Sequence, residues 1–154
     1  MAEASDIHST AFGTALEQWY ELNLSLPFHT FHARVMPMAQ SLVLLLHHRD
    51  EIAAALDTFL SDTQHWLAWD ALLDLVPRMA FDLGPEFLHV YQRLLTAVLR
   101  ASCTMHKNLT HGDDALAARI VERAFHSAAW IFRAVSSLMR TDAVSYTHLR
   151  AHET

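Results

Sequence analysis

Histidine is the residue type that most invites chemistry in this sequence, with twelve in the chain. His29 and His32 stand three apart, which puts both on one face of a helix, and His47 and His48 sit where a turn brings them near a neighbouring element. A zinc site takes about four ligands, and no metalloprotease-type spacing of histidines around a glutamate occurs. A histidine-dependent metal enzyme would need at least three ligands brought together by the fold. The histidines therefore read as surface or capping groups, and no metal or cofactor is expected.

Cys103, beside Ser102 and three residues before His106, is the candidate nucleophile. It lies in no recognisable catalytic motif, no Gly-x-Ser-x-Gly elbow exists, and three glycines leave no phosphate-cradling loop. An inert thiol, buried or in a loop, is the reading preferred, and no catalytic residue is assigned. Its solitary state rules out an internal disulfide and fits a reducing compartment.

Arg119, His126, Arg133 and Arg140 recur every seven residues and form the one strip weighed as a partner-binding surface, since a row of cations can track a phosphate backbone or an acidic helix. The competing reading is an ordinary solvated face, neutralised by Glu122 or by Asp82 or Glu86 from a neighbouring helix. Such a row also drifts about 20° per heptad, so its members need not share one patch. Trp66, Trp69 and Trp130 read as core aromatics, with interface anchors as the alternative.

The elements that must carry these residues are helices. The composition, 52% hydrophobic with only 3 Gly and 4 Pro in 154 residues, is too apolar for disorder and too poor in turn-formers for a many-stranded sheet. Leu16, Trp19, Tyr20 and Leu24 mark a first helix, ended near Ser25 and Pro27; Phe31, Val35, Met38, Leu42 and Leu45 mark a second, kinked or divided at Pro37. Ile52, Leu56, Phe59 and Leu60 give a helix starting near Asp50 and stopping at Ser61-Asp62-Thr63. The stripe Leu72, Leu75, Val76, Met79 and Leu83 gives the next, closed by Gly84 in a left-handed cap with Pro85 restarting the chain.

Phe87, Tyr91, Leu94 and Val98 extend a further helix to about Ser102, before a polar loop over Lys107 to Gly112 and a charged start at Asp113-Asp114. The last and longest helix turns Ala117, Ile120, Ala124, Ala128, Ile131, Val135 and Leu138 inward. The fold class is thus all-α: either a bundle or antiparallel helix pairs stacked as an α-solenoid of the degenerate HEAT/armadillo kind, since no legible exact repeat fits the tetratricopeptide or ankyrin lengths. Within that frame residues 1–16 are expected as an N-terminal helix or tail, 17–142 as the HEAT-like segment, and 143–154 as a tail. The charge of −6 argues against a broad nucleic-acid footprint. The longest apolar run, Leu42 to Leu46, is too short for a membrane span, and Met1 to Thr10 lacks the pattern of a secretory signal.

Three collinear runs carry a resemblance. Gln40-Ser-Leu-Val-Leu-Leu-Leu-His-His-Arg-Asp-Glu-Ile52, Ala71-Leu-Leu-Asp-Leu-Val-Pro-Arg-Met-Ala-Phe-Asp-Leu-Gly84 and Glu122-Arg-Ala-Phe-His-Ser-Ala-Ala-Trp-Ile-Phe-Arg-Ala-Val-Ser-Ser-Leu-Met139 resemble successive helices near the start of the very long HEAT-repeat proteins of the down-regulated-in-metastasis family. The match covers roughly Trp19 to Asp142. These are core-helix patterns and carry no chemical signature, and Pro77 and the Gly84-Pro85 break depart from the family's pattern.

The resemblance implies a non-catalytic, nuclear and nucleolar scaffold of the small-subunit processome, acting in ribosomal RNA processing. Its implied partners are other processome proteins, precursor ribosomal RNA or U-three small nucleolar RNA, and neighbouring HEAT repeats, with no membrane. The run Val144 to Thr154 resembles a translated sequencing-adapter read-through, so His148 and His152 are given no functional weight. The rival to this reading is a free-standing helical-bundle adaptor or small-ligand-binding domain.

Overall fold

The structure is a computed structural model that describes the backbone of residues 10–109 and 115–153, and the side chains of 10–107 and 115–140. Seven α-helices occur among the described residues: α1 (Ala11–Leu22), α2 (Leu26–Val35), α3 (Leu42–His47), α4 (Arg49–Ser61), α5 (Trp69–Leu83), α6 (Tyr91–Leu109) and α7 (Ala115–Glu153). Short 3₁₀ segments over Met36–Met38, Thr63–Ala68 and Gly84–His89 join several of them, and no strand occurs among the described residues.

Local chemistry sets most of these boundaries. The hydroxyls of Thr10, Ser25 and Ser41 accept from the N–H groups of Gly13, Phe28 and Leu44 and so start α1, α2 and α3. Pro37 falls in the 3₁₀ segment that divides α2 from α3, as its spacing predicts. Asp62 accepts from Gln64 N–H at 2.9 Å and turns the chain after α4. Gly84 has φ +55° and ψ −128°: the positive φ is as expected, but the conformation is not the left-handed helical one.

Packing explains where the sequence reading needs correcting. α1 begins at Ala11, within the stretch 1–16 expected as a helix or tail, and buries Phe12, Ala15 and Leu16 in the core; Leu24, expected on the apolar face of the first helix, instead lies exposed beyond the helix end. α5 runs straight through Pro77, forgoing one backbone hydrogen bond, because the helix is enclosed on both sides by its neighbours. α6 continues past Ser102 to Leu109, since Ala101 and Met105 carry the buried stripe of Leu94 and Val98 beyond the expected end; residues 107–109 of the expected loop are helical, and its remainder lies outside the described residues. The backbone of α7 stays helical to Glu153, through the segment expected as a tail. Residues 1–9 and the expected start at Asp113-Asp114 lie outside the described residues.

The helices form two layers. In one, α1 packs on α5 and α5 on α7; in the other, α2 packs on α4 and α4 on α6. Contacts between α1 and α2, α4 and α5, and above all α6 and α7 join the layers. The fold is therefore all-α and solenoid-like, with its core between the layers around Phe28, Phe31, Leu56, Leu72, Leu75, Phe87 and Ile120. None of the helices among the described residues is long and apolar enough to cross a membrane.

α5 is the central helix of its layer. Leu72, Leu75, Val76, Met79 and Leu83 face the core as predicted, while Asp70, Asp74, Pro77, Arg78 and Phe81 recur on the opposite side. That second face is what α1 and α7 flank, and it holds the ion pairs that join the helices of this layer.

Candidate partner-binding face between α5 and α7

Asp70 anchors this face. Its carboxylate is only 6% exposed and pairs with two guanidinium groups of α7 one turn apart, Arg119 at 3.2 Å and Arg123 in closer contact. One turn along α5, Asp74 accepts from the indole N–H of Trp19 at 2.8 Å and stands 3.6 Å from Arg78 and 3.9 Å from Arg123. The i,i+4 spacing of the two aspartates matches that of the two arginines, so two successive helical turns mesh. The result is an ionic clasp that ties α1, α5 and α7 together.

Asp82 closes the other end of α5. It accepts from the backbone N–H of Phe12 at 2.7 Å and of Ala11 at 2.9 Å, placing a carboxylate at the N-terminus of α1. Burial raises its pKa above the ordinary carboxylate value, outweighing these two hydrogen bonds and the Arg78 charge, which pull it down.

Beyond the clasp a cleft of about 360 Å³ opens between α5 and α7, lined by Ala11, Asp74, Pro77, Arg78, Phe81, His126 and Trp130. Phe81 is 74% exposed and Trp130 41%, so two large rings stand at its margin. The Arg133 guanidinium lies over the Trp130 ring, 5.8 Å from its centroid.

The four residues of the expected strip are all exposed on α7, but the structure gives them different surroundings. Arg119 is held by Asp70; His126 enters the cleft; Arg133 covers Trp130; Arg140 follows one heptad further on. The neutralising partner is not among those considered from sequence: Asp82 caps α1 and Glu86 pairs with Arg49 at 3.3 Å. Asp70, Asp74, Arg123 and Phe81 were missed. The matched i,i+4 spacing of Asp70/Asp74 and Arg119/Arg123, and the position of Phe81 off the apolar stripe, were the available signals.

The other candidates resolve as contacts within the fold. His29 stacks on Tyr20 and His32 lies tilted against it, with centroids 4.4 Å away in each case; His29 Nε2 meets the Tyr20 carbonyl and His32 Nε2 meets Glu17 at 2.8 Å. His47 and His48 pack edge to face, and His48 lies 3.4 Å from Glu51. Among the described residues no group of three His, Cys, Asp or Glu side chains is placed to hold a metal. Cys103 sits exposed on α6, neither buried nor in a loop, next to buried Ser102. Trp69 is core, its indole N–H donating to the Phe59 carbonyl at 2.8 Å; Trp66 is half-buried, and Trp130 belongs to the cleft.

A different flank of α7 is bare. Ala118, Phe125, Phe132 and Met139 recur every seven residues and all are exposed, Phe125 by 63% and Phe132 by 55%. By helical geometry this stripe lies on the side of α7 turned away from Arg123 and Trp130, and hence away from α5. In a layered stack that is where a further helix would pack.

The chain is similar to U3 small nucleolar RNA-associated protein 20 of Saccharomyces cerevisiae, 27% identical over 133 residues that make up 86% of the chain. It is similar also to the protein of the same name from Schizosaccharomyces pombe, 26% identical over 137 residues, or 89% of the chain. The chain spans 5% of the length of each of these relatives. No family model and no solved structure matches it.

Proposed function

We propose that this chain is a non-catalytic scaffold segment of a small-subunit processome component, acting in ribosomal RNA processing and small ribosomal subunit biogenesis in the nucleolus. The observation that carries the proposal is its similarity to two proteins named for association with U3 small nucleolar RNA, running along nearly the whole chain yet covering a small part of each relative. A segment of that kind contributes shape and surface to a large assembly.

Membership of the down-regulated-in-metastasis family, with HEAT repeats continuing beyond the segment 17–142, belongs to the same proposal. The bare stripe Phe125, Phe132 and Met139 supports it, because a solenoid pair buries its outer flank only on a following pair. The partners proposed are neighbouring helical repeats, other processome proteins, and precursor ribosomal RNA or U3 small nucleolar RNA.

The rival reading, a free-standing helical adaptor or ligand-binding domain, draws its support from the cleft beside Trp130. It leaves the apolar flank of α7 without a purpose.

Depletion of the endogenous protein carrying this sequence tests the proposal. Unprocessed small-subunit ribosomal RNA precursor should accumulate and free small subunits should fall, with large-subunit RNA maturing normally. Unchanged precursor levels after depletion would refute it.

A further inference from the structure

We propose that the cleft between α5 and α7 holds an unpaired base of single-stranded RNA, stacked on Phe81 and Trp130, with the adjoining phosphates following His126, Arg133 and Arg140 along α7. This deepens the reading above and rests on it for one choice only, RNA over an acidic protein as the occupant.

The observations begin with the rings. Exposed aromatics on helices are costly to leave in water, and two of them stand at the margin of one cleft. A π face accepts any base, which makes aromatic platforms the common device for holding single strands. The cleft's volume of about 360 Å³ falls in the range of small-molecule sites and admits a base with its ribose. The stacked bases of a duplex cannot enter it without unpairing.

Charge points the same way. The chain as a whole carries more acidic than basic residues, yet the stretch of α7 from Arg123 to Arg140 contains no aspartate or glutamate. Within it Arg133 and Arg140 are exposed, and His126 lines the cleft. Asp74, the carboxylate in the cleft wall, is already engaged by Trp19, Arg78 and Arg123, so its charge is offset where the strand would lie. Arg133, whose guanidinium lies over one face of Trp130, adds a cation beside the stacking ring, close to where a phosphate would follow a base on the other face. An acidic peptide would satisfy the cations but would leave both rings unmatched.

Fluorescence anisotropy of a labelled oligouridine on the purified 154-residue chain tests this. Binding to the single strand should exceed binding to a duplex of equal length, and Phe81→Ala and Trp130→Ala should each weaken it about tenfold, as loss of one base stack implies. Trp130→Phe should restore most of the loss, and Arg133→Gln should lower the slope of log affinity against log salt by about one. Phe81 is the better first target, because its exposure lets it be truncated without loss of folding, checked by an unchanged melting temperature.

Absence of binding, or binding indifferent to Phe81→Ala and Trp130→Ala, would overturn the proposal. So would a polyglutamate peptide that displaces the RNA and is itself sensitive to Trp130→Ala, which would mark a protein-docking cleft. The assay contains no ribosomal precursor, so a positive result would stand even if depletion left precursor processing unchanged. A negative result would remove the cleft and leave the scaffold reading intact.

Discussion

Arg123 of α7 lies over the indole ring of Trp19 of α1, 5.1 Å from guanidinium carbon to ring centroid, and the two side chains converge on the same carboxylate, Asp74 of α5. The α1 and α7 side chains thus meet each other over the central helix, and α5 supplies their shared acceptor. The two outer members of the layer are thereby held in register by polar groups that the core stripe does not include.

The clasp predicts an asymmetry between its two sides. Asp70→Ala leaves two arginines without their carboxylate and should cost about 2–4 kcal/mol, somewhat less than the roughly 3–5 kcal/mol of fully buried pairs because both guanidinium groups reach water. Arg119→Ala leaves Asp70 still paired with Arg123 and should cost no more than about 1 kcal/mol. Urea unfolding of both variants checks this; equal losses would mean that Asp70 does not depend on its second partner.

Core and surface leucines should separate cleanly. Leu72, fully buried between the layers, should lose about 2–5 kcal/mol as Leu72→Ala. Leu24, exposed beyond α1, should lose less than about 0.5 kcal/mol as Leu24→Ala. Thermal melts of the two variants compare them directly, and a large loss at Leu24 would show that the turn after α1 is packed in a way the fold does not contain.

Gly84 joins α5 to the following 3₁₀ segment at φ +55°, and no atom lies within 4 Å of where a Cβ would stand. Gly84→Ala should therefore destabilise by about 1–3 kcal/mol through backbone strain alone, with no steric clash to relieve. A neutral result in denaturant titration would mean that the turn relaxes to negative φ.

Asp82 gives a pH dependence whose sign is fixed by the direction of its shift. Its native pKa is raised above 3.8 chiefly by burial, so the folded chain holds the proton more tightly than the unfolded chain. Its contribution to stability is then fullest below the unfolded value and is lost as pH rises through the native one. Relative to Asp82→Asn, which does not titrate, the unaltered chain should lose stability as pH rises from the unfolded value of 3.8 through the raised native one. A relative stability that rises over that interval would show that the N–H groups of Ala11 and Phe12 dominate over burial.

The bare flank of α7 makes a prediction about association. Phe125→Glu combined with Phe132→Glu should leave the melting temperature of the chain nearly unchanged, because both rings are exposed, while suppressing self-association on size exclusion. A large drop in stability would mean that the rings pack within the chain.

Much of the fold could be read from the sequence because it rests on local patterns. The stripe Leu72, Leu75, Val76, Met79 and Leu83 and the inner face from Ala117 to Val135 are periodic, and the buried residues follow them. Pro37 acts where it stands, since its constraint is local. What periodicity could not show is which polar face a third helix covers. Asp70 looks like a solvated residue on the polar side of α5 and is buried only because α1 and α7 flank that side.

The strip on α7 was legible as a row and not as a site. Spacing places Arg119, His126, Arg133 and Arg140 on one helix face, but the Asp70 that holds Arg119 and most of the cleft wall that His126 joins come from α5. The end of α6 was misread for a related reason: burial on neighbouring helices overrides a local preference to stop.

The central claim is that this chain serves in an assembly containing U3 small nucleolar RNA. Immunoprecipitation of the endogenous protein carrying this sequence, followed by hybridisation for U3 RNA, tests it most directly. The account predicts strong enrichment of U3 RNA over an unrelated small nuclear RNA, retained after moderate salt washes; equal background recovery of the two RNAs would contradict it.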